Sequence, residues 1–200
     1  HEVARLEAGV RGQQAGDRVA ENLDLGDVRL TARVATQQDL VLQASFGRVS
    51  AARRIALWLQ LLALSASTDQ PCRGLIVGRG DRLALRAPDR ATATALLGQW
   101  MRLYRLGLNA PLPLPLRFGA RLADLVRADR NPFDELRELG FVYQDDATSQ
   151  WRQFYGDVGD LLAVPVGEDD LDQPTESVLA IAAARVIWHP LSLHEAVPTR

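Results

Sequence analysis

Arginine is the basic residue at every basic position of this chain. The 23 basic residues are all arginine, and the sequence contains no lysine. A guanidinium group stays protonated and offers a planar set of N–H donors that matches phosphate oxygens, so clustered arginines are candidate phosphate ligands. The candidates for contact with DNA lie on a predicted strand and near the start of a predicted helix: Arg29, Arg33, Arg48, Arg53 and Arg54. A solvated and partly ion-paired sheet face is the alternative interpretation.

Carboxylates on adjacent strands bind the metal ions of two-metal nucleases. Nucleases of the restriction-endonuclease-like class place a lysine two residues after one of these acids. The nearest matches here are Asp27-Val28-Arg29 at a strand start and Glu135-Leu136-Arg137 on a predicted helix. Because arginine does not supply a neutral amine, we expect no catalytic residues in this chain. An active metal-dependent nuclease with a displaced catalytic residue is the alternative.

The remaining chemical groups predict neither a metal site nor a nucleotide site. His189 and His194 are five residues apart across a proline, so they do not share a helical face. The glycine-spaced segment 74–80 lacks the Lys-Ser/Thr pair that ends a phosphate-binding loop, and a hairpin turn explains it better. Two acidic groups are predicted to be solvated loops: Asp145 with Asp146, and Glu168 with Asp169, Asp170 and Asp172.

The composition is that of an intracellular globular domain. Of the 200 residues 47% are apolar and 24% are charged, and the formal net charge is −2. The single cysteine, Cys72, cannot form a disulfide within the chain, which is typical of a reducing compartment. No apolar run approaches 18 residues, so we expect a soluble cytoplasmic protein without membrane contact. We expect a fragment of a larger protein, with a linker-like start over residues 1–16 and one domain over 17–200.

Period-two patterns predict two β-hairpins. Apolar and polar residues alternate over residues 28–34, with Arg29 and Arg33 on the outer face, and again over 40–46. We expect these two segments to pair around a turn at residues 36–39. The second hairpin joins residues 75–77 to residues 82–86 around the turn at 78–81.

Helical periodicity dominates the rest of the chain. Ser50 is the predicted N-cap of a helix whose apolar stripe includes Trp58 and Leu62. Asp89 is the predicted N-cap of a second helix, which runs over residues 90–106 and ends at Gly107. Residues 111–115 are too rich in proline for a helix. Further helices are predicted near residues 118–126, at 131–140 ended by Gly140, around 151–155, and at 175–188 ended by Pro190. Strands and helices followed by mostly helices indicate a mixed α/β (α+β) domain.

Six segments, taken in order, resemble the carboxy-terminal domain of RecC, the gamma chain of exodeoxyribonuclease V (the RecBCD helicase–nuclease). The resemblance extends over roughly residues 17–195, and each segment alone is weak. The segments are DLGDVRLTAR (24–33), GRV (47–49), IALWLQLLALSAS (55–67), LYRLGLNAPL (103–112), FYGD (154–157) and RVIWHPL (185–191).

This resemblance implies a restriction-endonuclease-like (PD-(D/E)XK-type) core that has lost its active site, with packed helices. It implies a non-catalytic scaffold that positions DNA in the complex that processes double-strand ends during recombinational repair. The partners would be RecB-like and RecD-like subunits, double-stranded DNA ends and unwound single strands. ATP and Mg²⁺ would belong to the partner subunits, with no cofactor in this chain. A domain that contacts only proteins is a further alternative.

Overall fold

A computed structural model of the chain describes residues 16–26, 28–167, 171 and 176–196. The described strands are β1 (Gly16–Asp24), β2 (Arg29–Thr36), β3 (Leu40–Ala44), β4 (Arg73–Val77), β5 (Arg82–Arg86) and β6 (Glu195–Ala196). The described α-helices are α1 (Ala51–Ser67), α2 (Arg90–Asn109), α3 (Leu116–Arg127), α4 (Leu136–Asp146), α5 (Ser149–Tyr155), α6 (Val158–Leu162) and α7 (Leu179–Leu193). The predicted mixed α/β class is therefore confirmed.

The chain divides into two compact units. The strand-rich unit contains residues 1–94 and 194–200, and the helical unit contains residues 95–193. Helix α2 begins in the first unit and ends in the second. Among the helices of the described part, none is both long and apolar enough to cross a bilayer.

The strand-rich unit is built around α1. Ser50 caps this helix, because its side chain accepts a hydrogen bond from the backbone N–H of Arg53. From Leu57 onward the helix is apolar nearly all round, and Leu57, Trp58 and Leu61 are fully buried. Such a helix needs cover on more than one side, and α1 contacts strands of both sheets. At β4 the contact is so close that a Cβ on Gly74 would lie 2.8 Å from the side chain of Leu57.

A four-stranded sheet in the order β3-β4-β5-β6 packs one of its faces on α1. β3 and β4 run parallel because α1 is the crossover between them, and β4 and β5 form the predicted antiparallel hairpin with Ile76 opposite Leu83. The face towards α1 carries Val41 and Ile76, both buried. The opposite face carries exposed arginines at the strand ends, with Arg73 directly opposite Arg86.

The predicted pairing of β2 with β3 was wrong, although both strands form. β2 pairs antiparallel with β1, a strand that the sequence signals only weakly, and β3 pairs with β4. An isolated bridge between Gln37 and Leu40 is all that remains of the predicted hairpin. A period-two pattern fixes which face of a strand is buried, but it does not specify the partner strand, so the nearest neighbour in sequence was the wrong choice.

The helical unit packs α3 against α4 and α7. Phe118, Leu122 and Leu125 form the buried stripe of α3, as the spacing predicts. The ring of Phe118 meets that of Tyr143 edge to face, with centroids 5.9 Å apart. Burial raises the pKa of the Tyr143 hydroxyl.

Three predicted helix ends were wrong. Gly107 lies inside α2, Gly140 lies inside α4, and Pro190 lies inside α7, which continues to Leu193. A proline in a helix removes one hydrogen bond and strains the preceding turn, yet Leu191 in that last turn is fully buried. Burial of an apolar face therefore outweighs a local helix breaker here, as tertiary packing often does.

Candidate nucleic-acid interface

Arg29 and Arg33 lie on the exposed face of β2. The strand alternates as predicted, with Arg29, Thr31 and Arg33 exposed and Val34 buried. Arg29 and Arg33 are four positions apart on the strand, so their Cα atoms are about 13 Å apart. Neither side chain has a hydrogen-bond or ion-pair partner among the side chains of residues 23–26, 28–167, 171 and 176–196. These two arginines are thus accessible, and they point away from the β2 face that carries Val34.

A second set of arginines lies on segments at one end of the four-stranded sheet. Arg48 follows β3, Arg53 lies in the first turn of α1, and Arg79 lies in the turn between β4 and β5; all three are exposed. The backbone N–H of Arg79 donates to the carbonyl of Gly47 over 2.8 Å, which joins the two loops. We call Arg48, Arg53 and Arg79 the arginine rim.

Asp81 locks the loops that carry the arginine rim. Its Oδ2 accepts a hydrogen bond from the backbone N–H of Val49 over 2.9 Å, and its carbonyl accepts one from Gly78. A Cβ on Gly78 would lie 2.2 Å from the other carboxylate oxygen of Asp81 and 3.0 Å from the carbonyl oxygen of Gly47, so a side chain there would displace the carboxylate. The carboxylate is therefore turned into the loop junction, and it does not form an ion pair with any of the three rim arginines in the described part of the chain.

Phe46 lies beside the arginine rim and is 92% exposed. The sequence predicts it as the last residue of an alternating strand, but β3 ends at Ala44. The chain leaves the sheet because the N–H of Gly47 turns back to the hydroxyl of Ser45 over 3.1 Å. Phe46 and Arg79 are the residues that sequence reasoning missed. Arg79 is flanked by two glycines, and nothing local indicates that it lies beside Gly47.

Arg54 differs from the other four predicted contacts. It is half-buried and forms an ion pair with Glu195 of β6, the strand that follows the helical unit in sequence. Its guanidinium therefore helps to hold the edge strand of the sheet. This position stabilises the fold and is the least accessible of the five candidates.

Carboxylates are missing from three strands of the four-stranded sheet. β3, β4 and β5 contain no aspartate or glutamate. Asp39 precedes β3 and pairs with Arg73, whereas Asp81 precedes β5 at the opposite end of β4. A five-residue strand separates them by roughly 16 Å, too far to share a metal ion. Within the described ranges, no three His, Cys, Asp or Glu side chains are grouped closely enough to hold a metal.

The other acidic residues considered from the sequence have structural partners or lie outside the described residues. Asp145 pairs with Arg117, and Glu135 pairs with Arg130. Asp146, predicted to lie in a solvated loop, accepts hydrogen bonds from the backbone N–H groups of Arg117 and Phe118 over 2.6 and 3.0 Å. It thus stabilises the first turn of α3 from the end of α4. The residues outside the described part are Asp27, Glu168, Asp169, Asp170 and Asp172.

The two histidines lie apart from any candidate metal site. His189 is exposed on α7. The ring of His194 packs against Trp58 with centroids 5.2 Å apart. Cys72 is buried, and its thiol contacts the carbonyl of Gln70 over 3.5 Å. Each of these groups is explained by packing or by solvation.

Comparison with protein families matches residues 2–127 to the RecC C-terminal domain. The match covers more than half of the 200 residues. The chain belongs to the RecC C-terminal domain family. RecC is a subunit of the RecBCD complex, which acts in DNA repair and recombination. The match confirms the family that the sequence resembles, on four of the six segments; the segments at 154–157 and 185–191 lie beyond it. The match includes the arginine rim, Phe46 and strands β1 to β5. A search of curated proteins finds no match.

Proposed function

We propose that this chain is a non-catalytic domain that positions DNA in a RecC-like subunit, on a restriction-endonuclease-like core whose active site has been lost. The observation that carries this proposal is the kind of charge on the four-stranded sheet, which is positive rather than negative. The three strands β3, β4 and β5 carry no carboxylate, while exposed arginines lie at the strand ends and in the connecting loops. A surface of this kind repels metal ions and attracts phosphate.

The distribution of charge between the units supports the same role. In the sequence of the strand-rich unit there are 14 arginines and 11 carboxylates, a formal charge of +3. The helical unit has nine arginines and 14 carboxylates, a formal charge of −5. The small net charge of the whole chain therefore conceals a basic unit, and that unit is the one expected to contact the DNA backbone.

The scaffold part of the proposal concerns RecB-like and RecD-like partner subunits. Membership of the RecC family supports these partners, and exposed apolar side chains of the helical unit are suited to contact them. Tyr104 and Leu108 are one turn apart on α2 and are 58% and 67% exposed. Exposed aromatic and aliphatic side chains at helical spacing are typical of protein interfaces. Double-stranded ends and unwound strands would be the DNA partners, with ATP hydrolysis and cleavage left to the other subunits.

Incubation of the purified 200-residue chain with linear DNA and magnesium tests the non-catalytic part. We expect the DNA to remain intact. Magnesium-dependent digestion that disappears in the Asp27→Ala or Asp81→Asn variant would contradict the proposal and support the active-nuclease alternative.

Titration of a forked DNA tests the positioning part. Replacing Arg48, Arg53 and Arg79 by alanine should weaken binding about tenfold or more at low salt, because three phosphate contacts are lost. The matched control replaces Arg102, Arg105 and Arg137, three exposed arginines of the helical unit, and should change affinity little. Equal losses in both variants would indicate unspecific attraction, and absence of binding to the parent chain would favour the protein-interaction alternative.

A further inference from the structure

The exposure of Phe46 is unusual for its setting. Phenylalanine has no polar atom, so no hydrogen bond to water compensates for its 92% exposure. The other Phe, Trp or Tyr residue in the sequence of the strand-rich unit, Trp58, is buried at 0% exposure. An exposed aromatic ring on its own is common and needs no explanation. What singles out Phe46 is the chemistry that surrounds it.

The backbone around Phe46 is held on both sides. The N–H of Ser45 donates to the carbonyl of Val77 over 2.9 Å, and the carbonyl of Gly47 accepts from Arg79 over 2.8 Å. Both bonds tie the loop to the β4–β5 hairpin, and Asp81 adds a third tie through Val49. The ring is therefore presented from an ordered segment, so little conformational freedom would be lost when a flat partner covers it.

Exposed arginines lie on the segments next to this ring. Arg48 follows two residues later, the backbone N–H of Arg79 is bonded to the carbonyl of the adjacent Gly47, and Arg53 lies in the first turn of α1, which contains no acidic residue. An exposed, flat apolar side chain on a segment flanked by exposed arginines suits a nucleotide of a single strand, in which a base is free to stack and phosphates lie on either side. A base inside a duplex is already stacked and is not available to the ring.

We propose that Phe46 is a base-stacking residue, and that the arginine rim together with Phe46 binds single-stranded DNA in preference to duplex DNA. This inference rests on the proposed function and deepens it, since it assigns the preference for single-stranded over duplex DNA to one side chain. The arginines supply affinity for any phosphate backbone, and Phe46 supplies the preference for unpaired bases.

Fluorescence anisotropy with labelled oligo-thymidine and with a blunt duplex of equal length tests the inference on the 200-residue chain. Phe46→Ala should weaken binding of oligo-thymidine about tenfold and leave duplex binding unchanged, because one stacked base is lost. Phe46→Trp should restore single-strand binding. Phe133→Ala, which removes an exposed ring of the helical unit, is the matched control and should have no effect.

The outcomes separate this inference from the proposed function. One outcome is that the variant lacking Arg48, Arg53 and Arg79 loses binding to both single-stranded and duplex DNA, while Phe46→Ala binds both as the parent chain does. In that case DNA positioning stands and base stacking is overturned. If Phe46→Ala weakens single-strand and duplex binding equally, the assigned preference is overturned. If the parent chain binds no DNA and Phe46→Ala instead releases a partner subunit, the ring is a protein contact and both proposals are overturned.

Discussion

The two units use the same residue, arginine, in opposite ways. In the helical unit, most arginines are paired with groups of the same unit, as in Arg117–Asp145, Arg121–Glu138 and Arg185–Glu176. In the strand-rich unit, six arginine side chains have no ion-pair or hydrogen-bond partner among the side chains of residues 23–26, 28–167, 171 and 176–196: Arg29, Arg33, Arg48, Arg53, Arg79 and Arg86. Surface ion pairs contribute little stability, so the pairs of the helical unit mainly neutralise charge.

The difference shows what an all-arginine composition conceals. The net charge of −2 for the whole chain does not separate the units, whereas the pairing within the fold separates charge that is satisfied internally from charge that remains available. A ligand rich in phosphate would meet the second kind mainly in the strand-rich unit.

The largest effect expected from a single substitution concerns the helix that supports the arginine rim. Trp58→Ala should lower the free energy of unfolding by about 3–5 kcal/mol, because a fully buried ring is replaced by a cavity. Urea denaturation measures this value. The arginine rim depends on α1 for its position, so the same variant should also lose DNA affinity as it unfolds.

Trp58→Phe is the control for that substitution. It keeps most of the buried volume and removes an indole N–H that has no partner among the described residues. Its cost should be clearly smaller than that of the alanine variant. Equal losses for the two variants would show that ring volume is not what stabilises α1.

An intermediate effect is expected at the start of α3. Asp146→Ala should destabilise the chain by about 1–2 kcal/mol, because two backbone N–H groups lose their acceptor. The neighbouring Asp145→Ala removes only an exposed ion pair with Arg117 and should cost less than about 1 kcal/mol. Thermal denaturation of the two variants compares them, and the reverse order would contradict the assigned role of Asp146. Neither variant should alter DNA affinity.

The smallest effect is a pH dependence in the helical unit. The guanidinium of Arg121 donates to Glu138 and holds the pKa of that carboxyl below its ordinary value. A lowered pKa in the folded state stabilises the fold above the ordinary carboxyl range and loses this contribution as the pH falls below about 4. The melting temperature of Glu138→Gln should therefore fall less steeply between pH 6 and pH 3 than that of the parent chain. Parallel plots of melting temperature against pH for the two proteins would show that this ion pair does not contribute to the pH dependence of stability.

Local signals in the sequence predicted the elements well where capping and periodicity act over a few residues. Ser50 and Asp89 cap helices as expected, the latter by accepting from the N–H of Thr92 over 2.8 Å. The β4–β5 hairpin follows from its turn. The pairing of β2 and β3 did not follow, because the choice of partner strand depends on contacts between distant residues.

The candidate site was predicted only in part, because some of its residues are brought together by contacts between distant positions of the chain. The sequence identified Arg48 and Arg53 but not Arg79, since a hydrogen bond between residues 47 and 79 brings it to them. It also grouped Arg54 with the accessible arginines, because the residue that pairs with it, Glu195, lies 141 positions away. Phe46 was assigned to a strand face that ends two residues earlier.

The salt dependence of DNA binding tests the central claim most directly. Each phosphate contact in single-stranded DNA contributes about 0.7 to the slope of the logarithm of affinity against the logarithm of salt concentration. The variant that lacks Arg48, Arg53 and Arg79 should have a slope smaller by about 2 than the parent chain, while the variant that lacks Arg102, Arg105 and Arg137 should keep the parent slope. An unchanged slope in the first variant, or an equal reduction in both, would contradict the claim that the strand-rich unit positions DNA through the arginine rim.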